Sequence, residues 1–484
     1  MIKSTPNYIE AIRKLNTTQT GFKVLRDRIQ SKKLLNESAL DQMRNWVQCL
    51  GYSISDLDRL NVVHVAGTKG KGTTCAYTNS ILQQHRLSLG TPQKIGLYTS
   101  PHLTTVRERI QINSEPLSEE KFAKYFFEVW DALELEDLNS AIRPSYFRFL
   151  TLMSFHVFMQ EDVTTAIYEV GVGGELDSTN IIASPAVTGI TTLGIDHVTM
   201  LGNTIDKIAW HKAGIFKKGC PAFTVPQVSD AMEVLKKRAT EKGASLSIVE
   251  EYQAVHEIDI KPAEPFQRTN AFLAIKLAET VLKKLGVLTS FRGGELSTLF
   301  IQGLEDTLCR GRCQELVMGH EHWYLDGAHT QESLEVACSW FGRRSGISLP
   351  RVLIFNQQSS RDAISLLKTV HNTLDKRFGL KLTCAIFCTN SMNRLKPSNI
   401  EFMNQNVDPD AIQNLSLQRE LAQTWKELNP GDKVICLPSI EAAVDHARAI
   451  AIENRELKET EIFVTGSFHL VGGLLSILQE GQEI

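Results

Sequence analysis

The 484-residue chain lacks an excess of charge of either sign: 52 Lys and Arg against 55 Asp and Glu leave a formal net charge of −3. That balance gives no general attraction to nucleic acid or to an anionic membrane, so any anion site must be local. No apolar run reaches the roughly 20 residues that a membrane span needs. The 9 cysteines include no C-x-x-C pair. Cys309 with Cys313, and Cys384 with Cys388, have the four-residue spacing of one helix face. Neither pair has the His or further Cys neighbours of a zinc site, and reduced thiols in a cytosolic protein are expected. The stretch Met1 to Glu10 has neither the apolar core of a secretory signal nor the Arg-rich, acid-poor character of a transit peptide. A cytoplasmic home is therefore expected, with a mitochondrial form from another start site left open.

What is present is the composition of a globular protein, 42% hydrophobic and 22% charged, long enough for two large domains or three smaller ones. Helical patterns open the chain: Tyr8 to Leu15, Phe22 to Ile29 and Leu40 to Leu50. A buried strand, Asn61 to Ala66, then runs into a glycine-rich turn, Gly67 to Gly72, and a helix from Thr73 to His85. Short apolar strands recur at Ile95 to Thr99, Thr164 to Val170 and Val187 to Leu193. Helical stretches separate them, notably Glu119 to Leu133, Phe147 to Met159 and Thr204 to Phe216. That alternation predicts a mainly parallel sheet covered by helices on both faces. The stretch Ile260 to Pro265 reads as a loop before a helix from Asn270 to Leu285. A second α/β series follows Cys309, with strands at His322 to Leu325, Val352 to Phe355, Leu382 to Cys388, Val434 to Leu437 and Ile462 to Thr465. Two series imply two sheets, and the boundary is expected near residues 304–310, giving domains 1–305 and 306–484.

The loop Gly67-Thr68-Lys69-Gly70-Lys71-Gly72-Thr73-Thr74 carries the strongest chemical signal. Three glycines within six residues let backbone amides approach a polyphosphate, and the following helix adds its positive end. Lys71 is placed to neutralise β/γ-phosphate charge, and Thr73 offers a hydroxyl to phosphate or Mg²⁺. The segment is neither a strict Walker A, since Val65 stands where the first Gly belongs, nor a dinucleotide fingerprint. A plain glycine turn with incidental lysines is the structural alternative.

Glu169 ends a strand and precedes Gly171-Val172-Gly173-Gly174, where open α/β sheets bind ligands and where Mg²⁺ would find an oxygen donor. The next strand brings Gly194-Ile195-Asp196-His197 to the same edge, and Tyr98-Thr99-Ser100-Pro101-His102 also follows a strand. Taken singly, Glu169 could cap a helix, Ser100 a turn, and His197 could be a buried, satisfied histidine. Lys212 would ordinarily be solvated; buried beside a metal it would have a depressed pKa and be open to modification.

These residues closely resemble the folylpolyglutamate synthases of the Mur ligase group over nearly the whole chain. The resemblance is carried by VHVAGTKGKGT (Val63 to Thr73) and IYEVGVGGELDSTNII (Ile167 to Ile182), with YTSPHL and RERIQIN (Tyr98 to Asn113), YFRFLTLMSFHVF, GIDHVTMLG, HKAGIFK and LDGAHT in support. The N-terminal YIEAIRKLNTTQT and the RERIQIN segment look like the eukaryotic branch; bacterial members more often have Asn where Lys69 stands. The fold implied is an N-terminal P-loop-type ATPase domain with a mainly parallel sheet and a C-terminal Rossmann-like α/β domain, expected as a monomer and closing on a cleft during turnover.

The reaction implied is addition of L-glutamate to the γ-carboxylate of a folate through an acyl phosphate, with ATP split to ADP and phosphate. By position, Gly67, Thr68, Lys69, Gly70, Lys71, Gly72 and Thr73 would hold ATP, with Asn270 on the adenine side and Arg312 and Asp326 as second-domain contacts. Ser100, Glu169 and His197 would bind Mg²⁺. Lys71, Lys212 and His329 would be catalytic, Lys212 as a carbamate, and a monovalent cation is admitted as a further cofactor. Partners would be folate, L-glutamate and ATP, with no nucleic acid and no membrane span. Dihydrofolate synthase, joining glutamate to dihydropteroate, is the nearest alternative; a phosphoryl-transfer enzyme using the same loop is a more distant one.

Overall fold

The glycine loop leaves the middle of an eight-stranded sheet. In the computed structural model, which describes residues 7–30, 38–136, 143–287, 295–346, 349–357, 362–392, 397–454 and 459–480, this sheet is built from β1 (Val63–Ala66), β2 (Ile95–Tyr98), β3 (Ile110–Ile112), β4 (Glu115–Pro116), β5 (Thr165–Glu169), β6 (Val187–Ile190), β7 (Pro221–Thr224) and β8 (Ser245–Ile248). Their order is β4-β3-β2-β5-β1-β6-β7-β8. The run from β2 to β8 is parallel, and β3 and β4 extend it as an antiparallel hairpin. β1, β2, β5 and β6 are buried along their whole length, which explains their unbroken apolar sequences: a strand covered on both faces has no polar face to alternate with. The helices Lys71–Leu89 and Pro265–Lys284 pack over one side of this sheet and share a core with Val63, Val65, Ile95 and Ile167.

A second sheet orders β13-β12-β11-β14-β10-β9, from β9 (Gln314–Met318), β10 (Glu321–Asp326), β11 (Arg351–Phe355), β12 (Cys384–Cys388), β13 (Lys433–Leu437) and β14 (Thr460–Thr465). All its pairings are parallel except β9 with β10. Its two faces carry separate clusters, one around Trp323, Ile354 and Leu474, the other around Tyr324, Trp340 and Phe387. The chain divides into two compact units, Met1–His102 with Arg107–Leu308, and Leu103–Val106 with Cys309–Ile484.

The strands that sequence reading passes over are the short or edge ones: the β3–β4 hairpin, β7, β8 and β9. β8 is largely exposed and opens on two serines around one leucine, so it has no apolar run to announce it. The expected helix Thr204 to Phe216 is shorter, Ile205–Lys212, and tightens into a 3-10 turn over Ala213–Ile215. Gly214 there lies so close to the backbone of Glu175 that a Cβ would come within 2.3 Å of its Cα. The pair Cys384 and Cys388 sits on a strand, where residues four apart also share a face. None of the nine cysteines is in a disulfide. No helix among the described residues is long and apolar enough to cross a membrane.

Candidate active site

The loop between β1 and the helix Lys71–Leu89 is shaped by two contacts that tolerate no side chain. Gly67 has φ 150° and a Cβ there would lie 1.8 Å from Thr191 Oγ1; Gly70 has φ 87° and its Cβ would lie 2.1 Å from Asn270 Oδ1. Asn270 is buried and donates through Nδ2 to Gln267 Oε1 at 3.0 Å, which fixes its amide against the loop. The amides of Thr68 and Lys69 both donate to the Thr192 carbonyl, each at 3.0 Å. They hold the loop rather than face a ligand. The amides of residues 70–73 find no acceptor among the described residues, as expected for a helix's first turn, and they form the anion-ready part of the loop.

Two lysine side-chain nitrogens converge on one oxygen. Lys71 Nζ donates to the Gly67 carbonyl at 3.1 Å, and Lys212 Nζ donates to the same carbonyl at 2.6 Å. Lys212 is 3% exposed. Burial, and then the neighbouring charge of Lys71, hold its pKa well below the lysine range, while Asp196 and Asp177 pull the other way. A depressed pKa means a fraction of neutral amine, the nucleophilic form.

Glu169, at the end of β5, is 5% exposed and accepts from the Ser100 amide at 2.9 Å through Oε2. It faces the glycine loop: a Cβ on Gly72 would stand 3.6 Å from both carboxylate oxygens. A buried carboxylate, a serine and the amides of a phosphate loop suit a hard cation that keeps few protein ligands and takes the rest of its shell from phosphate and water. His197 sits in the left-handed region at φ 51°, N-terminal to the short helix Val198–Leu201, with its exposed ring 3.8 Å from Asp196 Oδ2 through Nε2. No group of three His, Cys, Asp or Glu able to hold a metal occurs among the described residues. The structure therefore joins Ser100 and Glu169 and sets His197 beside Asp196.

The second unit holds the remaining expected residues. Asp326 ends β10, is buried, and accepts from the Cys313 amide and the Ala328 amide, both at 2.8 Å. Burial raises its pKa, and the charge of Arg312 opposes that rise. The Arg312 guanidinium stacks on Phe468, 4.5 Å from the ring centre. His329 Nδ1 lies 3.1 Å from the Gly327 carbonyl, just ahead of the helix Gln331–Arg344 that Thr330 caps.

Sequence reading did not foresee that Thr191 and Thr192 build the loop from the neighbouring strand. It also gave no role to Asp177, which accepts from the amides of Val172 and Thr179 and thereby pins the Gly171–Gly174 turn. A carboxylate three residues after a glycine run was the available signal.

Comparison with known proteins places the chain in a family. Residues 65–283 match the Mur ligase middle domain. The chain is 46% identical to a folylpolyglutamate synthase of Neurospora crassa, over 100% of this chain and 94% of that protein. It is 42% identical to one of Saccharomyces cerevisiae, over 97% and 86%. Among solved structures, the Mycobacterium tuberculosis folylpolyglutamate synthase complexed with ADP and AMPPCP shares the fold at a TM-score of 0.70 and 23% identity, over 93% of this chain and 98% of that one. The chain belongs to the folylpolyglutamate synthase family of Mur-type ligases, which form amide bonds.

Proposed function

We propose that the protein adds L-glutamate to the γ-carboxylate of a folate or folylpolyglutamate, driven by ATP. The observation that carries this reading is the loop itself: the amides of residues 70–73 without acceptors, Lys71 and Lys212 drawn to the Gly67 carbonyl, and Glu169 facing Gly72. Two anions have to meet before a carboxylate can be phosphorylated, so positive charge must be concentrated where the phosphoryl group travels. An ATP γ-phosphate seated on those amides would receive it from Lys71 and from the helix N-terminus.

A carboxylate oxygen then bonds to the γ-phosphorus as the bond to the bridging oxygen breaks, releasing ADP and leaving an acyl phosphate. The amine of glutamate attacks the acyl carbon, phosphate departs, and the amine loses its proton. Mg²⁺, held by Ser100 and Glu169 with His197 as a further donor, would spread charge over the phosphate oxygens. Lys212, with its amine kept partly neutral, can take up CO₂ as a carbamate; the N–C bond forms as the nitrogen gives up a proton. Gly67, Thr68 and Lys69 shape the loop, and Gly70, Gly72 and Thr73 receive the phosphates. Asn270 fixes the loop's far side at the nucleotide. For Arg312, Asp326 and His329 the reading rests on their match to the family's motif, within a second domain taken as residues 306–484 after a first of 1–305.

The test is an acceptor screen with purified protein, scoring ADP formed with ATP, L-glutamate and each pterin. Glutamate-dependent ADP release with tetrahydrofolate or its polyglutamates is expected. Release with dihydropteroate instead would reassign the protein to dihydrofolate synthesis, and release that needs neither pterin nor glutamate would refute the ligase reading.

A further inference from the structure

Two arginines are buried among the described residues, Arg109 at 8% exposure and Arg351 at 7%. Arg351 is matched: its Nε donates to Glu461 Oε2 at 3.1 Å and to Ser345 Oγ at 2.7 Å, and its Nη2 donates to the Gly346 carbonyl. Arg109 is not matched. Its Nε donates to His102 Nδ1 at 2.9 Å, and its guanidinium lies 5.4 Å from the ring centre of Tyr146. Neither terminal nitrogen takes an acceptor among the described residues, and neither is sealed away from solvent. A buried guanidinium with no anion is expensive unless a ligand supplies one. The contact with His102 also orients the fork. An Nδ1 that accepts has no proton, so His102 is the neutral tautomer carrying its proton on Nε2. The two rings, His102 and Tyr146, leave the Nη edge as the part able to meet a ligand.

The location is informative. Arg109 directly precedes β3, and its carbonyl accepts from the Thr99 amide at 3.1 Å. The next residue, Ser100, donates its amide to Glu169, which faces the phosphate loop at Gly72. The unmatched fork thus stands one strand over from the residues proposed to receive the transferring phosphate.

We infer that Arg109, oriented by His102 and Tyr146, binds a carboxylate of the folate acceptor, namely the α-carboxylate of its terminal glutamate that does not react. A planar fork engages both oxygens of a carboxylate. On the reacting γ-carboxylate it would tie up the oxygen that must attack phosphorus and draw charge from it. On the α-carboxylate it anchors the glutamate so that the γ-carboxylate alone reaches the phosphate, which fixes where the chain grows. This inference rests on the folate-ligase reading above.

The experiment compares two acceptors in wild type, Arg109→Ala and Arg109→Lys: tetrahydropteroylglutamate, and its analogue in which γ-aminobutyrate replaces the glutamate. The analogue keeps the reacting carboxylate and lacks the α one. With the glutamate acceptor, KM is expected to rise about 10- to 100-fold in Arg109→Ala, the scale of a lost charged hydrogen-bond pair, with a smaller change in kcat. With the analogue, KM is expected to be already high in wild type and unchanged by the substitution. Equal losses on both acceptors, or no loss on either, would overturn the assignment. Arg109→Lys keeps the charge without the fork and decides the matter if Arg109→Ala does not fold; the same selective rise in KM is expected there. Absence of turnover by wild type with every pterin acceptor would be a failure of the ligase reading, which a selective or unselective response to substitution is not.

Discussion

Lys212 in the first unit and Arg351 in the second are both buried basic side chains, 3% and 7% exposed. Arg351 has a carboxylate at 3.1 Å and further acceptors in Ser345 and Gly346. Lys212 has a neutral carbonyl, Gly67, that it shares with Lys71. The first arrangement is complete: its charges cancel, and moving either partner would strand the other. The second is open: the Lys71 ammonium and the buried Lys212 amine lean on one weak acceptor, which Lys71 can leave for an anion and Lys212 for CO₂. The contrast separates charge used to hold a fold from charge kept in reserve for a ligand. Asp326 is closer to the first kind, since two backbone amides already occupy its oxygens. Arg109 is of the second kind.

Four experiments test this contrast. The largest effect is expected at Lys71. Lys71→Ala should reduce glutamate-dependent ADP release by about 1,000-fold or more, the scale on which a phosphoryl clamp matters, while the melting temperature barely moves. Normal turnover in the folded variant would show that the reserve charge is not used. Next is Glu461→Ala, which strands Arg351 and should cost roughly 3–5 kcal/mol of stability by urea unfolding, with kcat of the folded fraction preserved. A stability loss below about 1 kcal/mol would mean the pair is not structural.

Gly70→Ala tests the loop that presents the reserve. A Cβ at φ 87° and 2.1 Å from Asn270 Oδ1 should destabilise the protein by about 1–3 kcal/mol and weaken ATP binding measured calorimetrically. Unchanged ATP affinity would show that the loop's shape does not matter.

The last effect is a slope with pH rather than a fixed loss. His64 is fully buried, with Nε2 2.8 Å from Thr179 Oγ1, and burial first, then Lys217, pushes its pKa from 6.5 down to about 3. Between those values the unfolded chain binds the proton and the folded one does not, so stability should fall as pH drops from 6.5 towards 3. His64→Gln should flatten that part of the urea-midpoint curve. An identical slope in the variant would mean that His64 titrates normally.

Part of the site is legible in the chain. The strand, glycine loop and helix at 63–89 announce themselves by an apolar run, three glycines and a following helical stretch, and Glu169 is marked by standing between a buried strand and Gly171 to Gly174. The rest is not. Lys212 meets Gly67 across 145 positions of sequence, and nothing local to HKAGIFK says which face of its helix is buried. Thr191 and Thr192 shape the loop because β6 is the neighbour of β1, a pairing that no propensity encodes. The exposed edge strand β8 was missed for a plainer reason: Ser245-Leu246-Ser247-Ile248 is the shortest alternation that signals a strand, and it contains no apolar run.

The inventory belongs to the chain alone: which residues can donate, accept, neutralise or bend, and in which order sheet and helix carry them. Backbone stiffness and side-chain chemistry are properties of a residue and its near neighbours, so they survive without a fold. Tertiary structure alone decided which of those groups lost their water and which kept a partner. Desolvation and pairing depend on everything packed within a few ångströms, whatever its place in the chain. The same chemical type, a buried arginine, therefore became a fixed brace at Arg351 and an unspent charge at Arg109.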